Sequence, residues 1–464
     1  MQSKSKKIGI PKFSFKKEHI PHYLLAVILL VSFILHIVLL VKNPGSNFVQ
    51  MSPEQIEAQL EAGKLTEYDA KLKEHTWEWG SRDGYLYSVM ANQLREHGVY
   101  GYDTGNTGEI VHNAFVTYGH PMLLVVIFSI ADLINVDQAT LVKIFNMFLN
   151  LASIFLLYVI TAKIFKNRWM GLVASGLYAF YFTPYHFFRT ALTETPGIFF
   201  YLLAIFLFVL ALESNKKRYH FLFAVVFCYA VMIRPVIAPI VLLAYLIVLI
   251  KHRSNYKQWL KIAVIWAFGA ALVIMPWVVR NYVQFDEFIL FSTHSGNSWF
   301  SGANPYNLYS FSDYYLEQKE LGMETVEYAQ MKIKEGFETD YGLWLSWFTV
   351  GKTYEMFKIP DAIYFYPGGD LMANVKTYHK YLVILALLTA LISRRKETLA
   401  ITGILLIYLV LSNLFLTIPR YGFFIIPIMC ILDGYAIITI IQKIKQWINK
   451  IPKQKQQPQT ALES

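Results

Sequence analysis

The chain of 464 residues is 55% hydrophobic and 16% aromatic, and only 16% of it is charged, where an ordinary soluble domain carries about 25% charged residues. That composition excludes a water-soluble fold. The formal charge of +10 invites a nucleic-acid partner, but the basic residues flank apolar runs instead of lining one polar surface, so none is expected.

Lys4, Lys6, Lys7, Lys12, Lys16 and Lys17 precede the first apolar run, near residues 22–41. This run is long for a signal peptide and lacks a small-residue exit, so it is expected to remain as an anchor. Further apolar runs fall near 119–134, 140–162, 169–183, 195–212, 219–232, 235–250, 259–279, 378–392, 398–416 and 421–442. Most approach the roughly 20 residues that an α-helix needs to cross a bilayer. Lys443, Lys445, Lys450, Lys453 and Lys455 follow the last run.

Basic flanks mark cytoplasmic ends, and the connections 163–168, 216–218, 251–261 and 393–396 are also rich in Lys and Arg. Eleven crossings cannot join two cytoplasmic termini. Segment 119–134 is therefore expected to lie along the outer face while ten helices cross. The two long polar loops then fall outside, and both are acidic: residues 42–118 hold 6 Lys/Arg against 11 Asp/Glu, and residues 281–376 hold 6 against 13. The expected fold is an all-α polytopic membrane protein with about 10 transmembrane helices, in-plane juxtamembrane helices and two large extracytoplasmic loops. Residues 1–280 form an N-terminal transmembrane catalytic module that includes the extracytoplasmic loop 42–139. The second loop, 281–376, and the C-terminal helices with their basic cytoplasmic tail, 377–464, complete the chain.

The loops contain helical patterns of their own. From Asp83 to His97, Leu86, Val89, Met90 and Leu94 recur at helical spacing, with Gly98 as a C-terminal stop. Asp83 falls at the start of this helix, where a capping role and a catalytic role both stand open. Residues 313–338 read as one polar helix. Cys228 and Cys430 lie in apolar runs, consistent with two small buried side chains rather than a disulfide or metal site. No phosphate-cradling glycine loop is present, and Asp433 is placed near the middle of the last span.

Charge bookkeeping gathers the chemistry-bearing residues at one membrane face. Asp83, His120, Arg189, Glu194, Arg234, Arg280, His294 and Arg420 all fall near the outer interface. The aromatic residues Tyr85, Tyr87, Tyr100, Tyr102, Trp299, Phe300 and Tyr306 suit an interfacial belt and also sugar stacking. A flippase or transporter of lipid-linked sugars is the alternative class, and it would typically place ionisable groups at mid-membrane with a two-fold repeat.

The order of several stretches resembles the GT-C superfamily of polytopic glycosyltransferases, specifically family 39, which includes protein O-mannosyltransferases and lipid A aminoarabinose transferases. The stretches are Arg82-Asp83-Gly84-Tyr85-Leu86-Tyr87, Gly119-His120-Pro121, Arg189 with Glu194, Met275-Pro276-Trp277-Val278-Val279-Arg280-Asn281-Tyr282, Ser292-Thr293, Gly302-Ala303-Asn304-Pro305 and Pro419-Arg420-Tyr421.

The resemblance implies a polyprenyl-phosphate-linked sugar donor and an extracytoplasmic glycan, lipid or protein as acceptor, with inversion at the anomeric carbon. It assigns Asp83 and Glu194 to catalysis, with Asp83 as general base, and His120, Arg189, Arg280 and Arg420 to the donor phosphate. Tyr87, Arg234 and His294 are assigned to substrate binding. The family often has Asp-Glu where this chain has Asp83-Gly84. A divalent metal ion is left open as a cofactor. The expected location is the plasma or bacterial inner membrane, with both termini cytoplasmic and the active site outside.

Overall fold

The computed structural model describes residues 19–42, 54, 57–58, 61–62, 78–103, 109–293, 295–366 and 368–450. Among these residues every regular element is helical. Each apolar run expected to cross coincides with a helix: α1 (Ile20–Lys42), then, after α2 (Arg82–His97) and α3 (Gly119–Leu133), α4 (Gln138–Phe165), α5 (Arg168–Ala179), the short α6 (Thr183–Phe187), α7 (Glu194–Ser214), α8 (Lys217–Ile233), α9 (Ile240–Lys251) and α10 (Tyr256–Phe285). The loop helices are α11 (Ser295–Gly302), α12 (Phe311–Leu321), α13 (Thr325–Thr339), α14 (Tyr341–Ser346) and α15 (Lys352–Phe357). The last three helices are α16 (Asp370–Ile392), α17 (Lys396–Leu414) and α18 (Pro419–Lys450).

Seven of these helices, from 19 to 32 residues long, are long and apolar enough to cross a membrane. The chain is an all-α polytopic membrane protein. The crossings expected at 169–183, 219–232 and 235–250 are shorter helices, of 12, 17 and 12 residues for α5, α8 and α9. Helices α3, α5 and α9, of 15, 12 and 12 residues, would extend about 22, 18 and 18 Å at 1.5 Å per residue, each short of the roughly 30 Å hydrocarbon core.

A shared core brings α4, α5, α7, α8 and α18 together, with α7 packed between α4 and α8 and α18 laid along α5 and α16. Small residues permit the closest approaches. A Cβ on Gly434 would fall 2.6 Å from the carbonyl oxygen of Met170, and one on Gly171 would fall 2.5 Å from that of Tyr158. Helix α1 keeps most of its apolar surface outward and docks through a polar face, where Ser32 Oγ bonds Tyr185 Oη at 2.8 Å and His36 Nε2 bonds Asn150 Nδ2 at 3.0 Å. Such interhelical hydrogen bonds hold helices together where lipid is as apolar as the side chains. Asp433 is buried in α18, and neither carboxylate oxygen is hydrogen-bonded among the described residues.

The pattern read as one helix over 313–338 is two. Gly322, in the left-handed region at φ 62°, caps α12 and turns the chain into α13. A glycine adopts that conformation without the steric cost a Cβ brings, and the polar periodicity simply continues on the other side of the turn.

Candidate active site

Helix α2 begins one residue earlier than its periodicity indicates, and the difference decides what Asp83 can do. Ser81 is the N-cap, its Oγ accepting from the backbone N–H of Gly84 at 3.0 Å. The capping role is thus filled, and the Asp83 side chain is free to reach across the fold. Gly84 follows because nothing larger fits: a Cβ there would stand 2.3 Å from the carbonyl oxygen of Trp79. Gly98 ends the helix at φ 69° as expected.

Asp83 Oδ2 accepts from Arg420 NH1 at 2.7 Å. Arg420 stands at the start of α18 and turns its other donors to Glu194, with Nε to Oε1 at 2.5 Å and NH2 to Oε2 at 3.3 Å. Glu194 opens α7, fully buried, and also accepts from Arg234 NH1 at 2.7 Å. Arg234 NH1 donates to Thr193 Oγ1 at 3.0 Å as well, and its guanidinium lies 5.0 Å from the centroid of the Phe424 ring. The result is a chain, Asp83–Arg420–Glu194–Arg234, joining α2, α7, the turn after α8 and the start of α18. A buried carboxylate held between two guanidinium groups is compensated in the way burial of a charge requires.

The two acids differ in access. The Asp83 side chain is 49% exposed and that of Glu194 is 0% exposed. Asp83 Oδ1 makes no hydrogen bond among the described residues, so one carboxylate oxygen remains for a substrate hydroxyl. Arg420 has five N–H donors in a planar fork, of which three are directed at Asp83 and Glu194.

Tyr87, one helical turn on from Asp83, stands beside this chain. Burial pushes its phenol well above the usual range, Asp83 and Glu194 push it further, and Arg420 and Arg234 oppose them. Its ring meets His120 edge to face at 5.0 Å. His120 is buried on α3, with Nε2 2.8 Å from the carbonyl oxygen of Ala191. Burial lowers the imidazole to about 4, so it is neutral above about pH 5 and offers the donor phosphate no fixed positive charge. It braces the segment that leads into Glu194.

Arg189 is fully buried in that segment, its Nε donating to the Tyr185 carbonyl at 3.3 Å and its NH2 to Tyr366 Oη. Arg280 stands apart from the cluster. Its NH1 donates to the Asn113 carbonyl at 3.0 Å and its NH2 to the Tyr100 carbonyl at 2.8 Å, so it ties the 100–113 loop to the end of α10. His294 lies outside the described residues.

One acid joins the site without any sequence signal. Asp361, in the 3-10 turn Asp361–Phe365, is buried and feels both Arg420 and Glu194. Burial lifts it to about 7, Glu194 adds to the rise, and Arg420 opposes it. Nothing in its local pattern, a Pro360-Asp361 step in a polar loop, distinguishes it from a turn residue.

Among the described residues no group of three or more His, Cys, Asp or Glu side chains is placed to hold a metal ion. Between Asp83 and Glu194 the bridging cation is the Arg420 guanidinium. The residues present do not compose a metal site at this position, and no step below is routed through one.

A buried carboxylate–guanidinium chain thus lies at one end of the helical bundle of a polytopic membrane protein, and comparison with known proteins shows what that bundle is similar to. The model of the family described as dolichyl-phosphate-mannose-protein mannosyltransferase matches residues 119–279, about a third of the chain. Curated proteins yield no match to the chain by sequence.

Among solved structures, the fold is similar to archaeal oligosaccharyltransferase AglB from Archaeoglobus fulgidus in complex with an inhibitory peptide and a dolichol-phosphate, with TM-score 0.53 and 13% identity over 94% of this chain and 52% of that one. The apo form of the Archaeoglobus fulgidus oligosaccharyltransferase matches with TM-score 0.51 and 12% identity over 93% of this chain and 52% of that one. ArnT from Cupriavidus metallidurans bound to undecaprenyl phosphate matches with TM-score 0.48 and 11% identity over 94% of this chain and 63% of that one. The chain spans about half the length of the archaeal enzymes it matches. The GT-C resemblance carried by the sequence motifs is borne out.

Proposed function

We propose that this protein is a membrane glycosyltransferase that moves a sugar from a polyprenyl-phosphate donor to an acceptor hydroxyl, with Asp83 as general base. The observation that carries the reading is the chain Asp83–Arg420–Glu194–Arg234, in which partners 337 and 226 residues apart in sequence meet at bonding distance. The match of residues 119–279 to a lipid-phosphate-sugar transferase family supports it, as does the fold shared with an oligosaccharyltransferase solved with a dolichol-phosphate.

The half-exposed Asp83 accepts the proton of the acceptor hydroxyl, whose oxygen attacks the anomeric carbon. The bond from that carbon to the phosphate oxygen breaks, and the lipid phosphate leaves with the electron pair. A single displacement of this kind inverts configuration. Charge grows on the leaving phosphate as the bond breaks, so cations fixed near it stabilise the transition state more than the ground state. Arg420 and Arg234 fill that role, together with Arg189, which is buried in the segment leading into Glu194.

Glu194 holds the two guanidinium groups in place without itself meeting solvent, and Tyr87 bounds the space beside Asp83. The acceptor is an extracytoplasmic glycan, lipid or protein, and the site faces outward from a plasma or bacterial inner membrane with both chain ends inside. Incubating the purified protein in lipid with a panel of polyprenyl-phosphate sugars tests the reading. Consumption of at least one donor is expected, and refusal of the whole panel with acceptor glycans present would contradict it.

A further inference from the structure

The motif Gly302-Ala303-Asn304-Pro305 lies outside the catalytic chain, yet it is built with care. Asn304 is fully buried, and its side chain clamps the backbone of Tyr309 from both sides: Nδ2 donates to the Tyr309 carbonyl at 2.8 Å, and the Tyr309 N–H donates to Oδ1 at 3.1 Å. Between them Tyr306 and Asn307 both take left-handed conformations, at φ 52° and 56°. Two successive non-glycine residues there cost about 1–3 kcal/mol each, and such strain persists only where the surroundings hold it. The effect is to present the Tyr309 ring, 48% exposed, stacked at 5.5 Å on the buried ring of Tyr314.

That ring forms one wall of a groove of about 460 Å³ between α12 and α13, within the range of small-molecule sites. Its floor is Tyr314 and Trp344, the indole lying so close over α13 that a Cβ on Gly336 would fall 1.9 Å from Trp344 Cε2. The polar lining consists mainly of Asp313, Glu317, Glu335 and Lys332. Lys332 fixes two of the carboxylates, bonding Glu317 at 2.7 Å and pairing with Glu335 at 3.5 Å, and each carboxylate keeps lone pairs for further donors. An aromatic face beside fixed acceptors suits a sugar ring and its hydroxyls. Three carboxylates against one ammonium leave the lining net negative, which disfavours anionic ligands.

The same motif couples the groove to the catalytic end. The Gly302 carbonyl accepts from Trp347 Nε1 at 3.0 Å, and a Cβ on Gly302 would fall 2.7 Å from the carbonyl carbon of Phe415. The Leu416 N–H donates to the Ser298 carbonyl at 2.8 Å, and Lys352 Nζ donates to the Phe415 carbonyl at 2.9 Å. Phe415 and Leu416 lie directly before the turn that delivers Arg420.

We propose that this groove is a saccharide subsite that receives the acceptor as a neutral or amine-bearing glycan and holds it next to the Arg420 end of the bundle. The assignment rests on the glycosyl-transfer reading and deepens it by naming the acceptor class. No bond is made or broken in the groove.

The test is calorimetric titration of the full chain in lipid nanodiscs with three probes: chitotetraose, its fully deacetylated amine form, and tetragalacturonate. Binding of the neutral or amine probe is expected, with tetragalacturonate weaker. Tyr309→Ala should weaken that binding at least tenfold, and Glu335→Gln should reduce any preference for the amine form over the neutral one at least threefold. The subsite is overturned if neither the neutral nor the amine probe binds wild type, if tetragalacturonate binds best, or if Tyr309→Ala binds within twofold of wild type. Donor consumption that persists in any of those cases sinks the groove alone, whereas its absence from wild type sinks the transfer reading.

Discussion

Arg420 grips Glu194 through two hydrogen bonds, Nε to Oε1 at 2.5 Å and NH2 to Oε2 at 3.3 Å, while its remaining terminal nitrogen, NH1, donates to Asp83 at 2.7 Å. One guanidinium thus orders a buried and a half-exposed carboxylate at once. An ammonium is a point charge without the planar fork. Arg420→Lys should therefore lower donor turnover by about two orders of magnitude, the scale of losing one fixed donor to developing charge. Donor saturation curves check this, and an unchanged curve would separate Arg420 from the phosphate.

Glu194 is the anion that makes two buried arginines tolerable. Glu194→Gln keeps the shape and leaves Arg234 and Arg420 uncompensated, which for a broken buried pair costs about 3–5 kcal/mol. The expected outcome is a clear fall in Tm in detergent, read by thermal unfolding. A variant as stable as wild type would show that the two cations find other partners.

Much of this was legible in the sequence. The apolar runs located the seven helices that are long and apolar enough to cross a membrane, because lipid forces backbone groups to pair within a helix. Asp83, Glu194, Arg234 and Arg420 came from motif order and a single-face argument, and the fold joins them. Arg280 was grouped with them because charge counting resolves a membrane face but not a position on it; its donors go instead to loop carbonyls of Tyr100 and Asn113. Asp361 and the Tyr366 partner of Arg189 were invisible, since their role is created by a long loop folding back over the bundle.

Asp361 gives the site a pH dependence. Its carboxyl is lifted from 3.8 to about 7 by burial, with Glu194 reinforcing and Arg420 opposing the shift. The folded chain therefore binds a proton that the unfolded chain has lost between about pH 4 and 7, and the stability associated with it declines as pH rises through that window. Above pH 7 the ionised group adds negative charge near Arg420 and competes with the donor phosphate. Donor KM should rise between pH 6.5 and 8 in wild type and stay level in Asp361→Asn. Parallel profiles for the two would remove Asp361 from the site.

Topology is checked by cysteine labelling at exposed positions. Single cysteines replacing His97, Asn135 or Glu320, all exposed, should react with an impermeant maleimide from outside intact cells. Replacements of Lys166, Asn255 or Arg394, also exposed, should react only after permeabilisation. Labelling of position 135 from inside alone would mean that α3 crosses the membrane.

The most direct measurement is the rate of polyprenyl-phosphate release by Asp83→Asn against wild type in the same lipid bilayer. The exposed half of the Asp83–Arg420 pair contributes at most about 1 kcal/mol to stability, so the variant should fold normally while transfer falls by about 10²–10⁴-fold. A correctly inserted Asp83→Asn protein turning over at the wild-type rate would contradict the claim that this carboxylate takes the acceptor's proton.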